Sequence, residues 1–381
     1  MDAPPASPSP SPVRLGIDRE LARHERVVDL LGPLLPPTAP AQWVHRPHGR
    51  RVAGRYAAEA DQRFEVTDDL AGCDVAVLPF SWDQVLLDRG LDDPAKAFCA
   101  DAARHGKVVL VFVDGDDHVP SPAENAVVLR TSLDRALRGP RDVALPAWIA
   151  DPGRQRARPR RDRAVVGFCG QAYPLDLATT RLLKRAKFHG RVALTRLGVV
   201  ERIGKHPAFT ERPRAVQALA RATEVDAHIT LRSSMTRLDL DTDLEHQRHQ
   251  EYVSSLADSD YVLAVRGEGN YSYRLYEALA AGRIPVYVDT KAVLPLESTV
   301  PWADLCVVVA HRDIRRLGAV VARAHETTDA DRFVRRQAAA RDAWERWLSM
   351  DGFFGVLHER LATRVHAGAS IDPDELAASL A

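Results

Sequence analysis

Short apolar runs alternate along the chain with longer segments in which apolar residues recur at helical spacing. In the first half, the pattern predicts strands over 73–80, 107–117 and 126–130, a helix near 94–105, and a helix over 18–31. The predicted strands are apolar at nearly every position, which is typical of parallel sheets covered on both faces. This half therefore predicts an α/β domain.

The second half repeats the alternation. Strands are predicted over 164–170, 228–232, 261–265, 284–289 and 305–310, and helices over 175–188, 244–257 and 273–281. From about residue 329, Phe, Trp and Leu recur at helical spacing, which predicts terminal helices. Two α/β domains in tandem, with the terminal helices packing back across the crease between them, are the predicted architecture.

The chain has 381 residues, more than one ordinary hydrophobic core accommodates. We predict a disordered Pro/Ser tail over 1–12, an N-terminal domain over 13–155, an Arg-rich linker over 156–163, a second domain over 164–330, and C-terminal helices and tail over 331–381. The crowded arginines of the linker favour a solvated connection, and a phosphate-binding patch is the alternative.

Composition narrows the function classes. Lys plus Arg and Asp plus Glu are both 52, so the net charge is zero and gives no reason to expect nucleic acid as a partner. No apolar run approaches the roughly 18 residues of a membrane span, and the N-terminus lacks the pattern of a secretory signal. The four cysteines are far apart without a C-x-x-C pair, which favours buried free thiols. We expect a soluble cytoplasmic protein without an integral membrane segment.

Candidate functional residues are most concentrated between Asp258 and Thr290, where the pattern predicts a strand, a Gly-rich turn, a helix and a second strand. In a parallel sheet such a turn lies at the carboxyl edge, where the N–H groups of a helix start face an anion. Gly267 and Gly269 allow a phosphate to approach the backbone closely, and Asn270 or Ser272 is expected to cap the helix.

Two arginines flank this turn. Arg266 ends the strand and Arg274 lies in the first turn of the helix, so both are suited to a diphosphate. Glu277 shares a helix face with Arg274 and is expected either to hold ribose hydroxyls or to form an intrahelical ion pair.

Two ligand classes compete for this unit. The spacing of Gly267, Gly269 and Ser272, with Asp289 twenty residues after Gly269, resembles a degraded dinucleotide fingerprint and would suit an NAD(P)-dependent oxidoreductase. The rival is a nucleotide-sugar site, in an enzyme or in a non-catalytic sugar-nucleotide binder.

The segment SDYVLAVRGEGNYSYRLYEALAAGRIPVYVDT, residues 259–290, resembles the exostosin-type glycosyltransferases of glycosyltransferase family 47, especially their bacterial members. The runs VVGFCGQAYP, HITLR and VPWADLCVVV resemble the same family in order, and CDVAVLPFSWDQ and NAVVLRTSL do so more loosely. The resemblance extends over most of residues 70–365.

This resemblance implies a GT-B fold and an inverting transfer from a nucleotide sugar bound in the C-terminal domain. It places Arg266 and Arg274 near the diphosphate and Glu277 near the ribose. We expect a UDP-sugar as donor, a glycan or small-molecule hydroxyl as acceptor, and no cofactor. Animal exostosins are anchored in the Golgi membrane, so neither their compartment nor their substrates carry over.

An inverting transferase needs a base to take the proton of the acceptor hydroxyl. The sequence does not locate this base, and the strand ends of the first domain offer several candidates. They are Asp83, Asp114, Asp116, Asp117 and His118, of which Asp83 and Asp116 follow strong strand signals and lead.

No metal site is predicted. The D-x-D spacings within 114–117, 239–243 and 258–260 are interpreted as a loop on the acceptor side and as acids that flank helices. His246 and His249 share a helix face, but no third ligand accompanies them. Trp82, Trp148 and Trp302 are expected in the core or between the domains rather than stacked on sugars.

Overall fold

In a computed structural model of the protein, the residues described are 12–23, 27–36, 47–172, 211–232 and 243–381, with the single positions 190 and 193. The predicted tail, apart from residue 12, and the helix predicted over 175–188 lie outside the described residues.

The first domain contains a six-stranded parallel sheet. Its strands are β1 Val13–Gly16, β2 Phe64–Thr67, β3 Val75–Val77, β4 Val109–Val113, β5 Ala126–Arg130 and β6 Asp142–Ala144, in the order β2-β1-β3-β4-β5-β6. Its helices are α1 Pro47–Ala53, α2 Tyr56–Arg63 and α3 Asp92–Arg104. Every side chain of β4 and β5 is buried, so the prediction of a sheet covered on both faces is confirmed.

The second domain contains a five-stranded parallel sheet. Its strands are β7 Val165–Gly170, β8 Asp226–Leu231, β9 Tyr261–Ala264, β10 Ile284–Asp289 and β11 Val307–Ala310, in the order β11-β10-β9-β7-β8. Its described helices are α4 Glu211–Ala220, α5 Asp243–Ala257, α6 Tyr273–Ala280, α7 Trp302–Leu305 and α8 Leu317–Glu326.

Both sheets reverse their strand order at one place. In each domain the first strand lies beside the third, β1 beside β3 and β7 beside β9, while the second strand lies outside the first. Loops leave the two sides of such a switch point in opposite directions and open a crevice at the carboxyl edge of the sheet. The α/β, GT-B type architecture predicted from the sequence is confirmed.

The C-terminal helices pack back on the first domain, as predicted. They are α9 Ala330–Ala343, a π-helical turn Trp344–Leu348, α10 Met350–His366 and α11 Pro373–Ser379. The ring of Phe354 lies 4.7 Å from that of Tyr56 and 5.4 Å from that of Trp148. Because α9 also packs on α6, the helices join both domains into one structure.

The helix predicted over 18–31 is wrong for its described residues. Leu21–Arg23 forms only a 3₁₀ turn, and Val27 pairs with Phe80 in an antiparallel bridge. Val28, Leu30 and Leu31 are all buried. They are apolar because the turn that contains them is enclosed on several sides, and not because they form one face of a helix.

The arginine-rich linker is anchored, so its interpretation as a solvated connection is wrong for Arg158. Arg158 Nε donates to Asp260 Oδ1 at 2.6 Å, and the second carboxylate oxygen of Asp260 accepts the Val165 N–H at 3.0 Å. Asp260 is fully buried. A run of like charges is solvated only if no buried acid pairs with it, and the sequence does not show that Asp260 meets Arg158.

Buried cysteines and tryptophans fill the core, as predicted. Cys73, Cys99, Cys169 and Cys306 are free and buried. Trp82 and Trp302 donate their indole N–H groups to carbonyls of their own domains, and Trp148 packs against Phe353 and Phe354. Within the described residues, no helix is long and apolar enough to cross a membrane.

Candidate functional site

The turn between β9 and α6 lies at the switch point of the second sheet. Residues 265–272 leave β9 at its carboxyl end, beside the end of β7 at Gly170. The Gly267 N–H donates to the Tyr271 carbonyl at 3.1 Å, which closes the turn on itself. The Gly-rich segment therefore occupies the place where open α/β sheets bind ligands.

Arg266 is buried inside this turn. Its guanidinium Nη2 donates to the Glu268 carbonyl at 3.0 Å and its Nε to the Gly267 carbonyl at 3.5 Å, and no carboxylate among the described residues forms an ion pair with it. Burial lowers the pKa of Arg266 to about 10, against the opposing effects of Glu211, Asp134 and Asp116. A cation that is held by carbonyls and still charged at neutral pH attracts an anion to the turn.

Two glycines at the switch point face arginines. A Cβ on Gly267 would lie 3.2 Å from Arg212 Nη2, and a Cβ on Gly170 would lie 3.1 Å from Arg274 Nη2. Arg212 comes from the first turn of α4. The ends of β7 and β9 are thus surrounded by three guanidinium groups, those of Arg212, Arg266 and Arg274.

Glu277 and Arg274 form the ion pair that the sequence offered as one alternative. Arg274 Nη1 donates to Glu277 Oε2, and the Tyr252 hydroxyl donates to the same oxygen at 2.6 Å. The Arg274 guanidinium also lies 4.2 Å from the ring centre of Tyr252. Burial lowers the pKa of Arg274, but Glu277 and Tyr252 raise it by more, so the pKa lies above its ordinary value.

The expected helix cap is absent. Ser272 occupies the N-cap position of α6, but its hydroxyl makes no capping bond and has no hydrogen-bond partner among the described residues. The side chain of Asn270 makes other hydrogen bonds: its Nδ2 donates to Asp134 Oδ2 at 3.2 Å and its Oδ1 accepts the Thr290 hydroxyl at 2.7 Å. The expectation that either residue caps α6 is wrong, because Asn270 is used to join the domains.

Asp116 reaches the turn from the first domain. Its carboxylate lies where a Cβ of Gly269 would be, beside the ring of Tyr271. Burial raises the pKa of Tyr271, and hydrogen bonds with Tyr273 and Asp116 raise it further. The structure therefore brings together Asp116 and the Gly-rich turn, which are far apart in sequence.

Asp83 packs against the loop that follows β4. Its Oδ1 accepts the Ser81 hydroxyl at 2.5 Å, and its Oδ2 fills the space that a Cβ of Gly115 would need. The Ser81 hydroxyl in turn accepts the Asp114 N–H at 2.9 Å. Asp83 thus supports the loop that carries Asp116.

The other base candidates differ in exposure. Asp114 is exposed and Asp117 is buried. His118 lines a cavity beside Arg130 and Asp142, which the Gly-rich turn does not line. Asp116, whose carboxylate touches the Gly-rich turn, is therefore the candidate best placed to act at that turn.

The described residues contain no group of three or more His, Cys, Asp and Glu side chains arranged to hold a metal ion. The D-x-D acids Asp239 and Asp241 lie outside the described residues. Asp258 and Asp260, of the third D-x-D spacing, directly follow α5 and so flank a helix as expected, and the carboxylate of Asp260 is paired with Arg158.

Sequence reasoning missed several residues of this region. They are Tyr252, Tyr271, Asp134, Arg212 and Ser132, and the hydroxyl of Ser132 accepts the Asn270 N–H at 2.9 Å. Tyr271 lies within the segment 259–290, and its position close to two glycines and Tyr273 could have indicated that it belongs to the site. The others come from distant elements, and no spacing in the sequence connects them with the turn.

Comparison with known proteins concerns this same region. Residues 211–324 match the family model for the exostosin GT47 domain. We call these residues the exostosin segment. It contains the Gly-rich turn, α6, and the strands β8 and β9, which pair with β7. It is shorter than the 70–365 stretch over which the sequence resembles that family.

Curated relatives match over similarly short stretches. The probable glucuronoxylan glucuronosyltransferase IRX7 of Arabidopsis thaliana is 38% identical over 78 residues, 20% of this chain and 17% of the relative. The exostosin-1 homolog of Caenorhabditis elegans is 38% identical over 63 residues, 16% of each. Exostosin-1 of Drosophila melanogaster is 30% identical over 122 residues, 31% of this chain and 15% of that protein. The matched stretches thus span about a sixth of the length of these relatives.

Proposed function

We propose that the protein is an inverting glycosyltransferase that moves a sugar from a nucleotide sugar to a hydroxyl acceptor such as a polysaccharide or glycoconjugate, without a metal ion. The single observation that carries the proposal is the Gly-rich turn at the β7/β9 switch point, surrounded by arginines and contained in the exostosin segment. The names of the relatives, glucuronosyltransferases and exostosins, support glycosyl transfer. Membership of the bacterial branch, and a UDP-sugar as donor, belong to the proposal as well.

The diphosphate would lie at the N-terminus of α6. Arg266 supplies a charge that is held by carbonyls, and Gly267 lets the phosphate approach the backbone. The hydroxyl of Ser272, which has no hydrogen-bond partner in the described part of the chain, is a further donor at the same helix start. Together these groups stabilise the negative charge that grows on the leaving nucleotide, which is the task of a metal ion in other transferases.

The ribose would lie against Glu277. Arg274 and Tyr252 both donate to Oε2, and Oε1 has no hydrogen-bond partner in the described part of the chain. A carboxylate oxygen fixed in this way is ready to accept ribose hydroxyls, and its orientation is set before the ligand arrives. The ion pair with Arg274 and a role in ribose binding are thus compatible.

The acceptor would approach from the first domain. Asp116 lies against the Gly-rich turn from that side. As a general base it would take the proton of the acceptor hydroxyl while the hydroxyl oxygen attacks the anomeric carbon and the nucleoside diphosphate leaves from the opposite face. This arrangement inverts the anomeric configuration.

Calorimetry with UDP, GDP, dTDP, NAD and NADP in the presence of a chelator tests the proposal. We expect one nucleoside diphosphate to bind and the dinucleotides not to bind, and saturation at a hundred times the dissociation constant adds about 2.7 kcal/mol of stability. Binding of NAD or NADP alone would favour the oxidoreductase, and a strict need for a divalent ion would refute metal independence. A nucleotide sugar that binds but is never turned over with any hydroxyl acceptor would favour a non-catalytic binder.

A further inference from the structure

A cavity of about 530 Å³ opens in the first domain, between the loop that follows β4 and the loop that precedes β6. Its walls are mostly apolar and include Pro120, Val128 and Leu137, and its polar side chains include His118, Arg130 and Asp142. The cavity is separate from the Gly-rich turn, although His118 follows Asp116 by two residues. Neither the exostosin segment nor the donor site proposed above includes it.

Arg130 is an unusual residue to line a mostly apolar cavity. It is 1% exposed, and its Nε donates to Asp142 Oδ1 at 2.6 Å. Asp142 Oδ2 is occupied by the Gly139 N–H at 2.8 Å. Arg130 Nη1, by contrast, has no hydrogen-bond partner among the described residues. A buried charged donor without an acceptor costs free energy, so its presence calls for a physical reason.

His118 lies in the field of this arginine. Burial, followed by the charge of Arg130, lowers the pKa of His118 to about 4, and Asp142 and Asp134 oppose the shift. The effect of Arg130 on His118 is larger than that of either acid. The imidazole is therefore neutral at pH 7, and a positive guanidinium is the strongest charge it senses. The other charged residues that line the cavity are Glu124 and Arg141, and Arg141 is paired with Asp374.

We propose that this cavity binds an oxyanion, a carboxylate or a phosphate carried by a small molecule or a sugar, with Arg130 Nη1 and the His118 imidazole as its donors. An anion supplies the acceptor that Arg130 Nη1 does not find among the described residues, and charge-assisted hydrogen bonds are about twice as strong as neutral ones. The apolar walls accommodate the body of the ligand, as is usual for small-molecule sites. The site does not depend on the proposed glycosyl transfer.

A bound anion also changes the proton affinity of His118. Its negative charge offsets that of Arg130, so the pKa of His118 moves from about 4 toward its ordinary value near 6.5. Binding then takes up a proton below pH 6.5. For a ligand that does not itself titrate in this range, affinity is therefore higher at pH 5 than at pH 7, by up to about twentyfold if the pKa returned fully to 6.5; burial, the larger cause of the shift, keeps the increase below that.

The test uses the full chain with three probes, sodium glucuronate, glucose 6-phosphate and glucose, the last as a neutral match. Calorimetry at pH 5 and pH 7 measures affinity, and NMR of the imidazole Cε1 resonances measures the pKa of His118. His118→Gln identifies the His118 resonance and removes the titrating group while keeping a neutral donor. His105→Gln, at an exposed helix end, is the matched control.

We expect at least one anionic probe to bind, glucose not to bind, and the pKa of His118 to rise on binding. His118→Gln is expected to bind both anions more weakly and to lose the pH dependence of glucuronate binding, since glucuronate does not titrate between pH 5 and pH 7, while His105→Gln behaves as the unchanged protein. Preference for glucuronate or for glucose 6-phosphate identifies a carboxylate or a phosphate ligand. Equal affinity for glucose and the anions, no binding of either anion at about 10 mM, or an unmoved pKa of His118 would overturn the proposal.

Discussion

The carboxylate of Asp116, in the loop after β4, lies against Gly269 in the turn after β9 and leaves no space there for a side chain. The two residues belong to different domains and different sheets. This contact is where the first domain meets the Gly-rich turn, and it brings a carboxylate to the proposed donor site.

Gly269→Ala is expected to push Asp116 and the Tyr271 ring away from the turn. Overpacking of this kind costs roughly 1–3 kcal/mol, so urea unfolding should show a lower free energy of unfolding. Gly355→Ala in α10 is the matched control, because its Cβ would make only ordinary contacts, 3.7 Å from Arg63. Equal free energies of unfolding of the two variants would show that the Asp116 side chain moves aside without a cost in stability.

Asp116→Asn should lower the rate of sugar transfer by about a hundredfold to ten-thousandfold while donor affinity is unchanged, because the amide cannot take a proton. Asp114→Asn, on the exposed side of the same loop, is the control. Asp83→Asn is expected to act through the loop and to cost stability as well as rate. Near-normal transfer by all of the variants Asp83→Asn, Asp114→Asn, Asp116→Asn, Asp117→Asn and His118→Ala would place the base elsewhere.

Glu277→Gln is expected to weaken nucleotide binding by at least about tenfold, since each charge-assisted hydrogen bond contributes roughly 1.5–3 kcal/mol. Stability should also fall, because Arg274 and Tyr252 both donate to the Glu277 carboxylate. Glu59→Gln, which weakens the ion pairs of Glu59 with Arg55 and Arg63 on α2, controls for loss of ion pairing away from the site. Lower stability with unchanged nucleotide affinity would restrict Glu277 to a structural role.

Stability should fall between pH 6.5 and pH 4 because of His118. Its pKa is near 6.5 when unfolded and about 4 when folded, so the unfolded chain binds more protons in this window. The stabilisation is present above pH 6.5 and is lost as the pH falls, by up to about 3 kcal/mol. Burial lowers the pKa of His249 and His358 in the same direction. His118→Gln should flatten the slope measured by urea unfolding at several pH values, and an unchanged slope would contradict the assignment.

Arg158→Ala should destabilise the protein by roughly 3–5 kcal/mol, because it leaves the buried carboxylate of Asp260 unpaired. Arg156→Ala, at an exposed position of the same linker, should change stability by about 0.5 kcal/mol or less. Urea denaturation of both variants measures the difference. Similar values would restore the interpretation of the linker as solvated.

The sequence alone determined the elements whose apolar residues are buried on both faces. The strands Ala126–Arg130 and Ile284–Asp289 begin and end where predicted, and α6 and the Gly-rich turn lie in the predicted order. These elements are specified locally, because a continuous apolar run bounded by glycine, proline or polar residues has few other ways to be buried. Short strands and helices of the first domain, among them β1, β2, α1 and α2, were missed because their patterns are too short to stand out.

Only the tertiary structure decided which polar groups meet. Two examples are the contact between Asp116 and Gly269 and the pair of Arg158 and Asp260, each of which joins elements far apart in sequence. A third is Arg130 Nη1, for which the described residues supply no acceptor. A charged side chain looks the same in sequence whether it is solvated, paired or left without a partner. Its environment is set by the packing of the two sheets and the C-terminal helices, since burial and distance, and not residue type, fix the strength of a charge interaction.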